Sequence, residues 1–66
     1  MTVAKTIEII ASSNQSIEAA IRDGTKKVSE TVSGIEGAWV KDTKLIVSDG
    51  QVTEWRVTLA VTFLVK

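Results

Sequence analysis

The chain contains no cysteine, no histidine, no proline and no tyrosine, and only four glycines among its 66 residues. Without cysteine there is no disulfide to staple a small fold, no thiol nucleophile and no soft-metal site. Without histidine there is no imidazole base and no common metal ligand. The N-terminus, Met1-Thr2-Val3-Ala4-Lys5, and the rest of the chain lack an apolar run long enough for a signal peptide or a membrane span. Eight basic and eight acidic residues cancel to zero without a basic run, so nothing points to nucleic acid or an anionic membrane. These absences lead to the expectation of a soluble, cytoplasmic protein.

A chain of this length makes one domain, residues 1–66. It buries only ~60% of the surface its unfolded form exposes, so its own core is marginal. With neither disulfide nor metal to compensate, self-association is the expected remedy.

What is present is strongly patterned. The C-terminal half, Ala38 to Val65, reads as one long β-hairpin. Asp49-Gly50 between Val47 and Val52 is a two-residue hairpin signal, because a type I′ turn needs φ > 0 at both central positions. That corner sets Ser48 against Gln51, Val47 against Val52, Val40 against Leu59 and Ala38 against Val61. Trp55, Val57, Leu59, Val61 and Phe63 then share a core face. Arg56, Thr58, Ala60, Thr62 and Leu64 share the other face, which carries no charge from Thr58 to Leu64.

Ahead of the hairpin, Val3 to Ala11 is a strand rich in β-branched residues. The polar run Ser12-Ser13-Asn14-Gln15-Ser16 supplies candidate caps at Ser13, Asn14 and Ser16. A helix follows from about Ser16 to Ser33, with Ile17, Ala20, Ile21, Gly24, Val28 and Val32 on one stripe and Glu18 in its first turn. Lys26 and Glu30 stand at i,i+4 on its solvent side. Gly24 within the stripe lets the helix lie close on a sheet, and Gly34 is placed to end the helix as its C′ residue. The order is β-α-β-β. A right-handed crossover makes the first two strands parallel neighbours of a central third strand, giving an α+β sheet of order 1-3-2 with one helix on one face. One irregularity stands out: Asp42 and Lys44 would continue the core face of the second strand. Either the hairpin tip projects past the helix, or a bulge near Lys41-Asp42-Thr43 shifts the phase.

No catalytic constellation is present. No serine has a plausible base, there is no glycine-rich phosphate loop, and the carboxylates are scattered, so an enzyme is not expected. The informative residues are the two tryptophans. Trp55 lies on the core face, where packing accounts for it. Trp39 lies on the face the helix does not cover, where an indole is either an interface anchor or a platform for a flat ligand. The room left by Gly37 beside it suits an indole packed at an interface.

The chain resembles the dodecins, small β-α-β-β proteins that assemble as hollow homododecamers and in many members bind flavins. The resemblance rests on Lys5-Thr6-Ile7-Glu8-Ile9-Ile10, Ser12-Ser13, Ile17-Glu18-Ala19-Ala20-Ile21, Thr31, Asp49-Gly50, Gln51-Val52 and Trp55 to Phe63, collinear over nearly the whole chain. It implies a dodecameric shell whose partner is the chain itself and a small-molecule ligand, riboflavin, FMN or FAD. Flavin-binding dodecins start the second strand with Trp-Phe-x-Val, the Trp sandwiching the isoalloxazine ring; here Gly37-Ala38-Trp39-Val40 stands there. The stacking position is thus Gly37, and the family glutamine that bonds the ring edge falls at Arg56. Trp39, two residues on, shares a face with Gly37 and is either a displaced platform or a filler of the flavin's space. Arg56 can donate but cannot accept. The alternative implied is a shell without flavin, structural or holding cations on its symmetry axes.

Overall fold

The computed structural model describes residues 2–65. Four elements follow in order: β1 (Val3–Ser13), α1 (Ile17–Ser29), β2 (Ile35–Ser48) and β3 (Gln51–Val65). They form one antiparallel three-stranded sheet of order β1-β3-β2, with the most apolar strand in the centre as expected. The hairpin corner is as the residues dictate, with Asp49 at φ 52° and Gly50 at φ 74°.

The register is kept from Ser48↔Gln51 to Ala38↔Val61, but through two compensating slips. One lies between Ile46 and Val47, and the second, between Val40 and Asp42, is the expected bulge, with Lys41 as the extra residue. Together they place Thr43 opposite Val57 and Leu45 opposite Trp55, and carry Asp42 and Lys44 to the face away from the helix. The slip thus spares both charges from the core. The tip projects as well, since the molecule is 52 Å long while a 13-residue helix spans only about 20 Å. Leu45, Val47 and Val52 remain exposed on it.

Ser16 caps α1, its hydroxyl accepting from the Ala19 N–H at 3.0 Å, and Ser13 accepts from Gln15. The helix is shorter than its stripe suggests: it stops at Ser29 with Glu30 as its cap, not near Ser33. Hydroxyls compete for the last carbonyls here, Ser29 Oγ donating to Lys26 and Thr31 Oγ1 to Val28, and β-branched Thr31 and Val32 have low helix propensity. Gly34 is therefore not the helix cap. Its φ of +79° serves the entry to β2, where its carbonyl accepts from Leu64 N–H at 3.0 Å. Strand β2 accordingly begins at Ile35, earlier than the expected start near Ala38, and Gly37 lies inside it. Glu30 pairs with Lys27 at 3.6 Å rather than with Lys26, and Glu18 pairs with Arg22.

The core is Ala20, Val57, Leu59 and Val61, with Ile7, Ile9, Ala11, Ile21, Val28 and Ile35 packed against it. Helix α1 packs mainly on β1 and β3. Ala38 and Val40 share the core face but are left exposed, Val40 by half, because the helix packs mainly on β1 and β3. Ile17, at the first turn of the stripe, is also exposed. Gly24 does what close approach requires. A Cβ there would stand 2.7 Å from the Cβ of Ala11, which is fixed to the backbone of β1. Gly24→Ala gains about 1 kcal/mol in helix propensity and meets ~1–3 kcal/mol of overpacking. The expected net result is a loss of about 1 kcal/mol, read by denaturant melts; a more stable variant would show that α1 can lift off the sheet freely.

Candidate functional site

The face without a helix is built from rows that run across the three strands. Glu8, Ala60 and Trp39 make one row; Thr6, Thr62 and Gly37 make the next; Ile10, Thr58 and Asp42 lie on the other side. Strand periodicity puts most of these residues together, because every second side chain points to this face, and the bulge at Lys41 adds Asp42 to them. Trp39 is 64% exposed, and nothing lies within 4 Å of where a Gly37 side chain would start. A cleft of about 330 Å³ opens beside the indole, lined by Glu36, Gly37, Ala38, Trp39 and Thr62. Its volume lies at the small end of the range that holds organic ligands. Thr62, in its lining, has its hydroxyl 3.4 Å from that of Thr6 on β1. A larger groove lined by Lys5, Thr31, Val32, Ser33, Phe63, Leu64 and Val65 lies at the unfilled end of the helix–sheet sandwich.

Arg56 shares this face but not this place. It pairs with Ser12 and Lys44, four residues along β3 from Ala60 and so about 13 Å from the Trp39 row. Its guanidinium donates to Glu54 at 3.0 Å. Within one chain Gly37 and Trp39 are neighbours and Arg56 stands apart.

Sequence reasoning passed over Lys41 and Glu8. Lys41, the bulged residue, reaches across β3 and places its ammonium 3.1 Å from Glu8 Oε2 on β1. Ala60, between Trp39 and Glu8 in the row, is thereby 6% exposed although it lies on the open face. The odd phase at Lys41-Asp42-Thr43 was the available signal. What it could not convey was that Glu8 lies on the far strand of the same row. Among the described residues no group of three or more carboxylates, histidines or cysteines could hold a metal ion, and no helix is long and apolar enough to cross a membrane.

The chain is similar throughout its length to proteins of one kind. The family model described as Dodecin matches residues 3–66. The Streptomyces davaonensis dodecin is 26% identical, with 98% of this chain and 96% of that one covered and a TM-score of 0.93. A variant of the Thermus thermophilus dodecin is 26% identical over 100% of this chain and 98% of that one, at a TM-score of 0.95. A calcium-chelating antigen of Mycobacterium tuberculosis, termed calcium dodecin and having a novel calcium-binding site, is 29% identical over 97% and 91% of the two chains, at a TM-score of 0.83. No individually curated protein matches. With the expected β-α-β-β order, the 1-3-2 sheet and a family match over all but the first two residues, the chain belongs to the dodecin family.

Proposed function

We propose that this dodecin is a cytoplasmic binding and storage protein rather than an enzyme, holding a flavin or another flat aromatic ligand between the subunits of a homododecameric shell. The observation that carries the reading is Trp39: an indole 64% exposed on a sheet face without a helix, with open space at Gly37 beside it. Gly37 and Trp39 form the stacking side of the site. Arg56, too distant within its own chain, joins it from a neighbouring copy. The shell has a physical reason. Val40, Leu45, Val47 and Val52 are exposed apolar side chains on a chain whose fully buried core is four residues. Two uncovered strand edges add unpaired backbone groups.

Stacking on an indole is worth ~1–3 kcal/mol, by analogy with base stacking. With Gly37 at the stacking position and no acceptor on Arg56, riboflavin affinity should fall one to two decades below that of a dodecin with Trp and Gln there. Titration of riboflavin against tryptophan fluorescence tests this, and a nanomolar dissociation constant would contradict it. Gly37→Trp combined with Arg56→Gln should restore affinity; no gain at all would reject these two residue assignments. Light scattering at micromolar concentration should give an oligomer, and a species of 7.1 kDa would remove the shell.

A second reading is a shell that holds cations instead of flavin, favoured by the likeness to the calcium dodecin of M. tuberculosis. Among the described residues one chain offers no cluster of ligands, so such a site would be assembled from several copies. Calcium that raises the melting temperature while riboflavin does not would select this reading.

A further inference from the structure

We infer that Asp49, at the hairpin corner, is a site of spontaneous isoaspartate formation, and that the fold directs this modification to Asp49 and away from Asp23. The chain carries Asp-Gly twice, as Asp23-Gly24 and Asp49-Gly50. In a free chain both undergo the same chemistry. The amide nitrogen of the glycine attacks Cγ of the preceding carboxyl group, the Cγ–OH bond breaks, and the amide proton leaves with that hydroxyl as water. The five-membered succinimide then takes up water again. Addition at Cγ restores aspartate, whereas addition at the main-chain carbonyl leaves the chain running through Cβ and Cγ as isoaspartate. Nothing is oxidised or reduced, and water is the only co-reactant. Glycine favours the step because it has no side chain to obstruct the closing ring.

The two sites differ in what holds the attacking nitrogen. Gly24 lies inside α1, where its amide donates to the carbonyl four residues back. It is also wedged against β1, since a Cβ there would stand 2.7 Å from that of Ala11. Ring closure at Asp23 would have to break the helix bond and turn the peptide against the sheet. Gly50 has neither restraint. It lies inside the closing pair Ser48↔Gln51, and the bond of such a turn runs from residue i+3 to residue i, so the Gly50 amide is left out of it. Asp49 and Gly50 are both exposed, and nothing stands within 4 Å of where a Gly50 side chain would start. Asp49 sits at φ 52°, a left-handed backbone unfavourable to a residue with a Cβ, so opening the turn releases strain. Little has to open. Beyond the slip between Ile46 and Val47 only Val47↔Val52 and Ser48↔Gln51 join the strands, and Val47 is 58% and Val52 39% exposed. Uncovered tips of this kind lie at the low end of local opening free energies. The product makes the corner one carbon longer, which a two-residue type I′ turn cannot accommodate, so Val47 and Val52 should lose their pairing.

The test incubates the intact protein, and in parallel the chain unfolded in guanidinium, at physiological temperature and mildly acidic to neutral pH. Cleavage after glutamate then separates residues 19–30, which hold Asp23, from residues 37–54, which hold Asp49. Transfer of a labelled methyl group by an isoaspartyl methyltransferase counts the modified residues in each segment. Edman degradation, which halts at a β-linked residue, distinguishes Asp49 from Asp42. The intact protein should carry about tenfold or more label in 37–54 than in 19–30, because a turn opens far more readily than the interior of a packed helix. The unfolded chain should label both alike. Asp49→Asn keeps the turn, since Asn-Gly suits the same type I′ geometry. It closes the same succinimide with loss of ammonia and should convert faster, read as the mass gain of an amide becoming an acid. Equal label in the two segments of the intact protein would overturn the selection by the fold. An intact protein without label whose unfolded chain labels both segments would overturn Asp49 as a site, the turn or a neighbouring copy protecting it; an Asp49→Asn variant of unchanging mass would do the same.

Discussion

Leu59→Ala should lower the stability of the protein by ~2–5 kcal/mol, the cost of a truncated leucine in a packed core. Leu59 is fully buried on the central strand, paired with Ile9 on β1 and Val40 on β2. Its side chain also lies beneath the helix, with Cδ1 within 3.8 Å of where a Cβ on Gly24 would stand. Sheet and helix meet at that point, so the methyls removed leave a cavity that neither layer can close without moving. Because among the described residues only Ala20, Val57, Leu59 and Val61 are fully buried in the core, one such loss is a large share of it. Thermal melts at fixed protein concentration check this, since an oligomer's melting point depends on concentration. An unchanged melting temperature would mean that the core face of β3 is the other one.

Trp39→Ala separates a ligand platform from an interface anchor. As a platform, its loss should leave the oligomer intact and abolish quenching on titration with riboflavin. Binding should weaken by about one to two decades, in line with the ~1–3 kcal/mol of aromatic stacking. As an anchor buried by a neighbouring copy, the same change should cost ~2–4 kcal/mol at the interface and partly dissociate the shell. Gly37 leaves open space beside the indole, which a flat ligand fills in the first case and a neighbouring copy in the second. Light scattering and fluorescence titration on one preparation distinguish the outcomes, and dissociation with retained riboflavin binding would reject the platform.

Most of the framework was legible because it is local or periodic. Asp49-Gly50 allows one turn and thereby aligns the hairpin ladder, and the alternation of β3 identifies both faces. The departures have one kind of cause. The helix ends at Ser29 because side-chain hydroxyls and the entry of Gly34 into the sheet outweigh an apolar stripe that continues to Val32. Val40 is half exposed because α1 settles over β1 and β3, a matter of where the crossover lands rather than of any property of Val40.

By itself the sequence determined the element order, the hairpin register at its two ends, the core residues of β3 and the face on which Gly37, Trp39 and Arg56 lie. These follow from turn chemistry and from a side-chain period of two, which act within a few residues of chain. Only the tertiary structure decided that Lys41 leaves the ladder and meets Glu8, that Ala60 is buried beneath them, and that Arg56 stands about 13 Å along β3 from the Trp39 row. The physical reason is that a bulge changes which residues face each other across strands, and Glu8 and Lys41, 33 positions apart in the chain, become neighbours only when β3 is laid between them.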